Sequence, residues 1–84
     1  MFSRRFNRAV DVTRHARERM AQRNVTDVML LALLAEGAVR HKDESRLWVA
    51  KSFRGRDYNL VCAAVVLEDR LIVKTVMHHF RWED

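Results

Sequence analysis

The chain has 84 residues, about half of them apolar and a third charged, with 2 Gly, no Pro and 1 Cys. That supports one domain with a small core, argues against a disordered linker, and excludes an internal disulfide or a multi-cysteine zinc site. The formal net charge of +5 is concentrated at one end: residues 1–23 hold seven arginines against Asp11 and Glu18, whereas residues 24–84 hold nine basic and nine acidic side chains.

In chain order, residues 1–7 read as a flexible basic arm ahead of a single domain that fills the 84 residues. The arm lacks the apolar stretch of a secretory signal. No apolar run is longer than the eight residues of Val28–Ala35, far below the roughly 20 of a membrane span, so the expected home is the cytoplasm, with no membrane partner. Arg8–Val12 alternates and predicts a first strand, with Val10 and Val12 on one face. Thr13 caps a helix running to about Arg23, whose narrow apolar stripe is Ala16 and Met20 and whose Arg14 and Glu18 stand one turn apart. Along one edge of that stripe lie His15, Arg19 and Arg23.

Thr26 opens a second helix that Gly37 stops. It is apolar all round, a pattern expected of a helix buried between layers. Strands follow over Val39–Lys42, Arg46–Phe53, Tyr58–Leu67 and Arg70–Phe80, joined by the turns at Asp43–Ser45, Gly55 and Glu68–Asp69. Short turns between consecutive strands mean an antiparallel meander. The expected fold is α+β: a strand, two helices on one face, then a meander of three or four strands. In the last two strands both parities are apolar, so the second sheet face is expected to be only partly solvated.

The candidates for chemistry are few. Cys62 lies in the apolar run Leu60–Leu67 and reads as a buried small hydrophobe. His78 and His79, adjacent on a strand, point to opposite faces and do not close on one ion, so no metal or other cofactor is expected. What remains is a metal-free acid/base set. Cleaving RNA without a metal needs a base for the 2′-hydroxyl, an acid for the leaving oxygen and fixed cations for the charge on phosphorus. His15 and Arg19 are one helical turn apart, with Arg23 a turn further on. Thr75 and His79 share one strand face, and Lys74 and His78 the other. Arg14, Lys51 and Arg54 are further cations for phosphate. Each has a plainer reading: His15 at the rim of a core, Arg19 packed along its stem, Lys51 guarding a strand face. Trp48 and Trp82 either stack on bases or pack on the sheet or a partner. Of 16 basic residues 13 are Arg, the side chain that grips phosphate through a planar fork; an Arg-rich solvated surface is the alternative.

The stretch Val12-Thr13-Arg14-His15-Ala16-Arg17-Glu18-Arg19-Met20-Ala21-Gln22-Arg23-Asn24-Val25-Thr26 resembles a small bacterial family with the helix motif T/S-x-H-A-x-x-R-M-x-x-R-x-I/V-S/T and a Thr-Val pair in its last strand, here Thr75-Val76. The family is distantly similar to RelE-type and BrnT-type toxins. The resemblance implies a RelE-like layer fold, an RNA-directed activity as a metal-independent endoribonuclease or an RNA-binding descendant of one, and partners in RNA, including that of the ribosome, and an antitoxin protein. It carries His15, Arg19 and Thr75 as the site, with His79 as second proton carrier. Two departures from the family pattern are Met77, where an aromatic is common, and the lack of a helix after Phe80. The competing expectation is a non-catalytic interaction module that forms a homodimer or docks a partner protein through its apolar helix and sheet face.

Overall fold

The computed structural model describes residues 1–53 and 60–77. They run β1 (Phe2–Ser3), β2 (Arg8–Val12), α1 (Arg14–Gln22), α2 (Asp27–Glu36), β3 (Ala38–His41), β4 (Arg46–Ser52), β5 (Leu60–Leu67) and β6 (Leu71–Met77). The fold is α+β, with the strand, helix, helix and meander in the expected order. One six-stranded sheet has the order β1-β2-β6-β5-β4-β3. β2 lies parallel to β6 and the other neighbours are antiparallel. The predicted Gly55 turn, residues 58–59 at the start of the strand after it and residues 78–80 of the last strand lie outside the described residues.

Both helices start and stop on local signals. The Thr13 hydroxyl accepts from the Ala16 N–H at 3.1 Å, and the Thr26 hydroxyl from the Met29 N–H at 3.1 Å, each satisfying an orphan donor of the first turn. Past the cap residue Arg23 the chain turns away from α1 at Asn24, which takes a left-handed backbone (φ 55) that asparagine tolerates better than most residues. The Val25 N–H then reaches back to the Met20 carbonyl at 2.9 Å, and both side chains enter the core. Gly37 ends α2 in an extended rather than left-handed conformation (φ −67, ψ 156). Its reason for being glycine is space: a Cβ there would lie 2.5 Å from the Leu33 carbonyl oxygen, 2.7 Å from Val49 Cγ1 and 2.9 Å from the Ala50 carbonyl oxygen.

Residues 1–7 are not an arm. β1 pairs with β2 through a turn at Asn7 (φ 54), and the Val10 N–H donates to the Met1 carbonyl at 2.8 Å. Arg5 Nη1 donates to the Gly37 carbonyl at 2.5 Å. A cation there satisfies a carbonyl just past α2 and complements the negative end of the helix. Charge alone did not predict this, because the partner carbonyl is 32 residues away.

The core lies on one face of the sheet, where Ala16 and Met20 of α1 and Leu30, Leu33 and Leu34 of α2 pack on Val10, Leu47, Val49, Val61, Ala63, Val65, Leu71, Val73 and Val76. Both helices therefore cover the same face. α2 is apolar all round but is not sandwiched: Val28 is 76% exposed and Leu31 38%. β6 also departs from simple alternation. Ala64 pairs with Thr75 and Val65 with Val73, so Lys74 is an extra residue and the strand changes parity there. The bulge places Leu71, Val73 and Val76 all in the helix-side core, which explains why both parities of this strand are apolar. Among the described residues no helix is long and apolar enough to cross a membrane.

Candidate functional site

α1 presents the expected cationic edge. Arg14 stands in its first turn with a side chain 94% exposed, 3.4 Å from Glu18, and that turn contains no acidic residue. His15 is exposed, Arg19 is half-buried and Arg23 is half-buried at the C-terminal cap. Arg19 Nη1 donates to Gln22 Oε1 at 3.0 Å. Arg17, on the same helix, is tied to Asp27 at the start of α2. A cation in the first turn lies beside the positive end of the helix dipole, which disfavours it by about 0.3–1 kcal/mol. The pair with Glu18 offsets little of that, because both groups are solvated and the order Arg-then-Glu is the weaker one.

Thr75 is not on this side. Its ladder partner is Ala64, and its neighbour Val76 points into the helix-side core, so its hydroxyl leaves the sheet on the face opposite the helices. α1 does begin beside this stretch: the Thr13 N–H donates to the Val73 carbonyl at 3.2 Å and the Thr13 hydroxyl to the Lys74 carbonyl at 3.2 Å. His15 and Arg19 thus share a helix edge on one side of β6, and Thr75 stands on the other. Lys51 is on the helix side at the end of β4, where its Nζ lies 3.6 Å from Glu36 and 5.7 Å from the centre of the Phe53 ring. His79 and Arg54 lie outside the described residues, as do His78 and Trp82.

The open sheet face holds a second basic feature that sequence reasoning did not assemble. A groove of about 230 Å³ is lined by Trp48, Ala64 and Val66 and bordered by Lys42, Arg46 and Lys74. Trp48 pairs across the sheet with Ala64 on one side and Arg40 on the other, and Ala64 pairs with Thr75. Arg46 is held by Asp43, whose carboxylate takes Arg46 Nε at 2.6 Å and the Ser45 and Arg46 N–H groups at 3.0 and 2.8 Å. These bonds hold the Asp43 carboxyl at about 2. The signal in the sequence was the pair of tight turns: Asp43–Ser45 and Glu68–Asp69 set the registers that bring Lys42, Trp48 and Lys74 together. The bulge at Lys74 left no mark of its own.

Other chemistries find little support. Cys62 is fully buried, and burial pushes its thiol up to about 12, so the nucleophilic thiolate is disfavoured. Among the described residues no three His, Cys, Asp or Glu side chains are grouped to hold a metal ion.

No curated protein and no solved structure matches the chain significantly. A family model does match residues 12–78, taking in every element from α1 to β6 but only the last residue of β2; the chain belongs to that family, described as a domain of unknown function (DUF4258).

Proposed function

We propose that this domain is an RNA-binding descendant of a toxin-type ribonuclease, and that α1 is its principal phosphate-binding element. The observation that carries the reading is Arg14. It sits in a first turn that itself contains no acidic residue, its side chain is 94% exposed, and its ion-pair partner Glu18, one turn on, is solvated as well. A cation at that position weakens the helix. Retaining one there is understandable where an anion binds, because phosphate is attracted by both the guanidinium and the helix end. His15 stands exposed in the same turn, and Arg19 lies one turn on from His15. The nuclease version needs His15, Arg19 and Thr75 around one phosphate, and the parity change in β6 separates Thr75 from the other two. Binding is therefore the better-supported activity, with RNA as partner and the cytoplasm as its setting.

The test is titration of a fluorescein-labelled single-stranded RNA with the purified protein in EDTA, read by anisotropy, with the RNA then run on a denaturing gel. Expected are intact RNA and binding that weakens steeply as salt rises, by roughly 0.7 log units in affinity per log unit of salt for each phosphate contact. Absence of binding at low salt overturns the reading. RNA cleavage that disappears in His15→Ala would replace it with the endoribonuclease.

A second reading, docking of a partner protein such as an antitoxin, or of a second copy, has one observation in its favour: Phe2, Val28 and Leu31 are exposed apolar side chains. Phe2 and Leu31 line a groove of about 280 Å³ between the N-terminal hairpin and α2. Sedimentation at micromolar concentration reads the homodimer directly, and a strict monomer removes that form of it.

A further inference from the structure

We infer that the groove on the open face of the sheet is a stacking subsite for a base of single-stranded RNA, with the Trp48 indole as platform and Lys42 and Lys74 as phosphate contacts. The inference rests on the RNA-binding reading above and deepens it by adding a second point of contact on the opposite face of the sheet.

Three features favour a nucleotide over an aliphatic occupant. The first is the wall: Trp48 is half-buried and lines the groove together with its cross-strand neighbour Ala64. Stacking on an indole is tolerant of sequence because every base has a π-face. The second is the rim. Lys42, Arg46 and Lys74 border the groove, and the neighbouring acid Asp43 is engaged by Arg46. The two lysines place positive charge over an apolar floor, complementary to a base with its attached phosphate. The third is Lys74 itself. It is the extra residue of the bulge and therefore follows Val73 on the open face together with Thr75, which supplies a hydroxyl on the same ladder row as Trp48. Bulges re-aim side chains in this way.

The two surfaces meet at the bulge. Thr13, the residue before α1, donates to the Lys74 carbonyl, so a strand that leaves the α1 edge reaches Lys74 across β6 rather than across the whole domain. Phosphate held by α1 and a base stacked on Trp48 then belong to one path along the RNA.

The experiment uses the full chain in a Trp82→Phe background, so that Trp48 alone reports by fluorescence. A labelled ten-nucleotide RNA gives anisotropy and indole emission in the same titration. Expected is quenching of Trp48 at the same RNA concentration that raises anisotropy. Lys42→Gln and Lys74→Gln, both exposed, each weaken binding severalfold and lower the salt slope. Trp48→Leu, which keeps an apolar side chain on the face, weakens it about tenfold. A rise in anisotropy with unchanged indole emission and no effect of the two lysine variants overturns the subsite and leaves α1 binding in place. No rise at all overturns both.

Discussion

The two faces of the sheet are both dry at their centres, and they differ in what surrounds the dry part. On the helix side Val49, Ala63, Val65 and Val73 are sealed by Leu30, Leu33 and Leu34 of α2 and by Met20 of α1. On the open side Ala50 and Cys62 are equally buried, while Trp48, Ala64, Val66, Ile72 and Thr75 remain half-exposed and lysines stand at the margin. One face spends its apolar surface on the core. The other keeps part of it in contact with water under a positive rim, an arrangement that serves recognition better than stability.

The largest expected effect tests that division. Leu33 is fully buried among the helix-side residues, and Leu33→Ala should cost about 3–4 kcal/mol through lost transfer energy and the cavity it leaves. Val66→Ala, on the open face, should cost less than about 1 kcal/mol, because Val66 is only partly removed from water. Urea denaturation of the two variants measures both. Equal losses would mean that the open face is core in all but appearance.

Local features of this fold were legible in the sequence and non-local ones were not. Thr13 and Thr26 announce their helices because a cap is satisfied within three residues. The alternation of Arg8–Val12 and the turns at Asp43–Ser45 and Glu68–Asp69 fixed strands for the same reason. Arg5 looked like a free charge, since nothing near it in sequence foretold the carbonyls at the end of α2. Counting twos along the strand puts Lys74 and Thr75 on opposite faces. A single inserted residue, Lys74, reverses that count, and a lysine between a valine and a threonine looks like ordinary alternation. The one clue was indirect: apolar residues at Leu71, Val73 and Val76 fit one face only if the strand changes parity. For the site, the basic edge of α1 was readable from helical spacing, whereas the groove required the registers of three strands.

Asp43 offers a sharper probe of the open face. Arg46 and the turn N–H groups hold its carboxyl at about 2, below its ordinary 3.8. A depressed carboxylate contributes stability that is complete above the unfolded value and disappears as pH falls through the folded one. The native protein should therefore lose this contribution between about pH 4 and pH 2. Asp43→Asn should be the less stable protein at pH 7, with the difference in melting temperature closing over that window; a difference that persists at pH 2 would place the effect in the turn backbone instead. The same variant removes the acid from the groove's margin, and its affinity for RNA should rise severalfold while its stability falls.

The smallest effect in stability separates the two proposed contact points most cleanly. In Arg14→Gln the first turn of α1 loses a cation that opposes the helix dipole, a gain of about 0.3–1 kcal/mol, and loses the exposed pair with Glu18, worth about 0.3 kcal/mol in this orientation. The melting temperature should rise, by up to about 5 °C, since the net gain is at most about 0.7 kcal/mol and about 1 kcal/mol corresponds to roughly 4–8 °C in a domain this size. Affinity for RNA should fall, with a salt slope shallower by about one phosphate contact, while quenching of Trp48 at saturation stays as it was. A structural arginine would lower stability when replaced and leave binding to track the folded fraction. Opposite signs in the two measurements mark Arg14 as a residue kept for its ligand at the helix's expense, and unchanged binding in the stabilised variant would remove α1 from the interface and leave the groove to account for RNA alone.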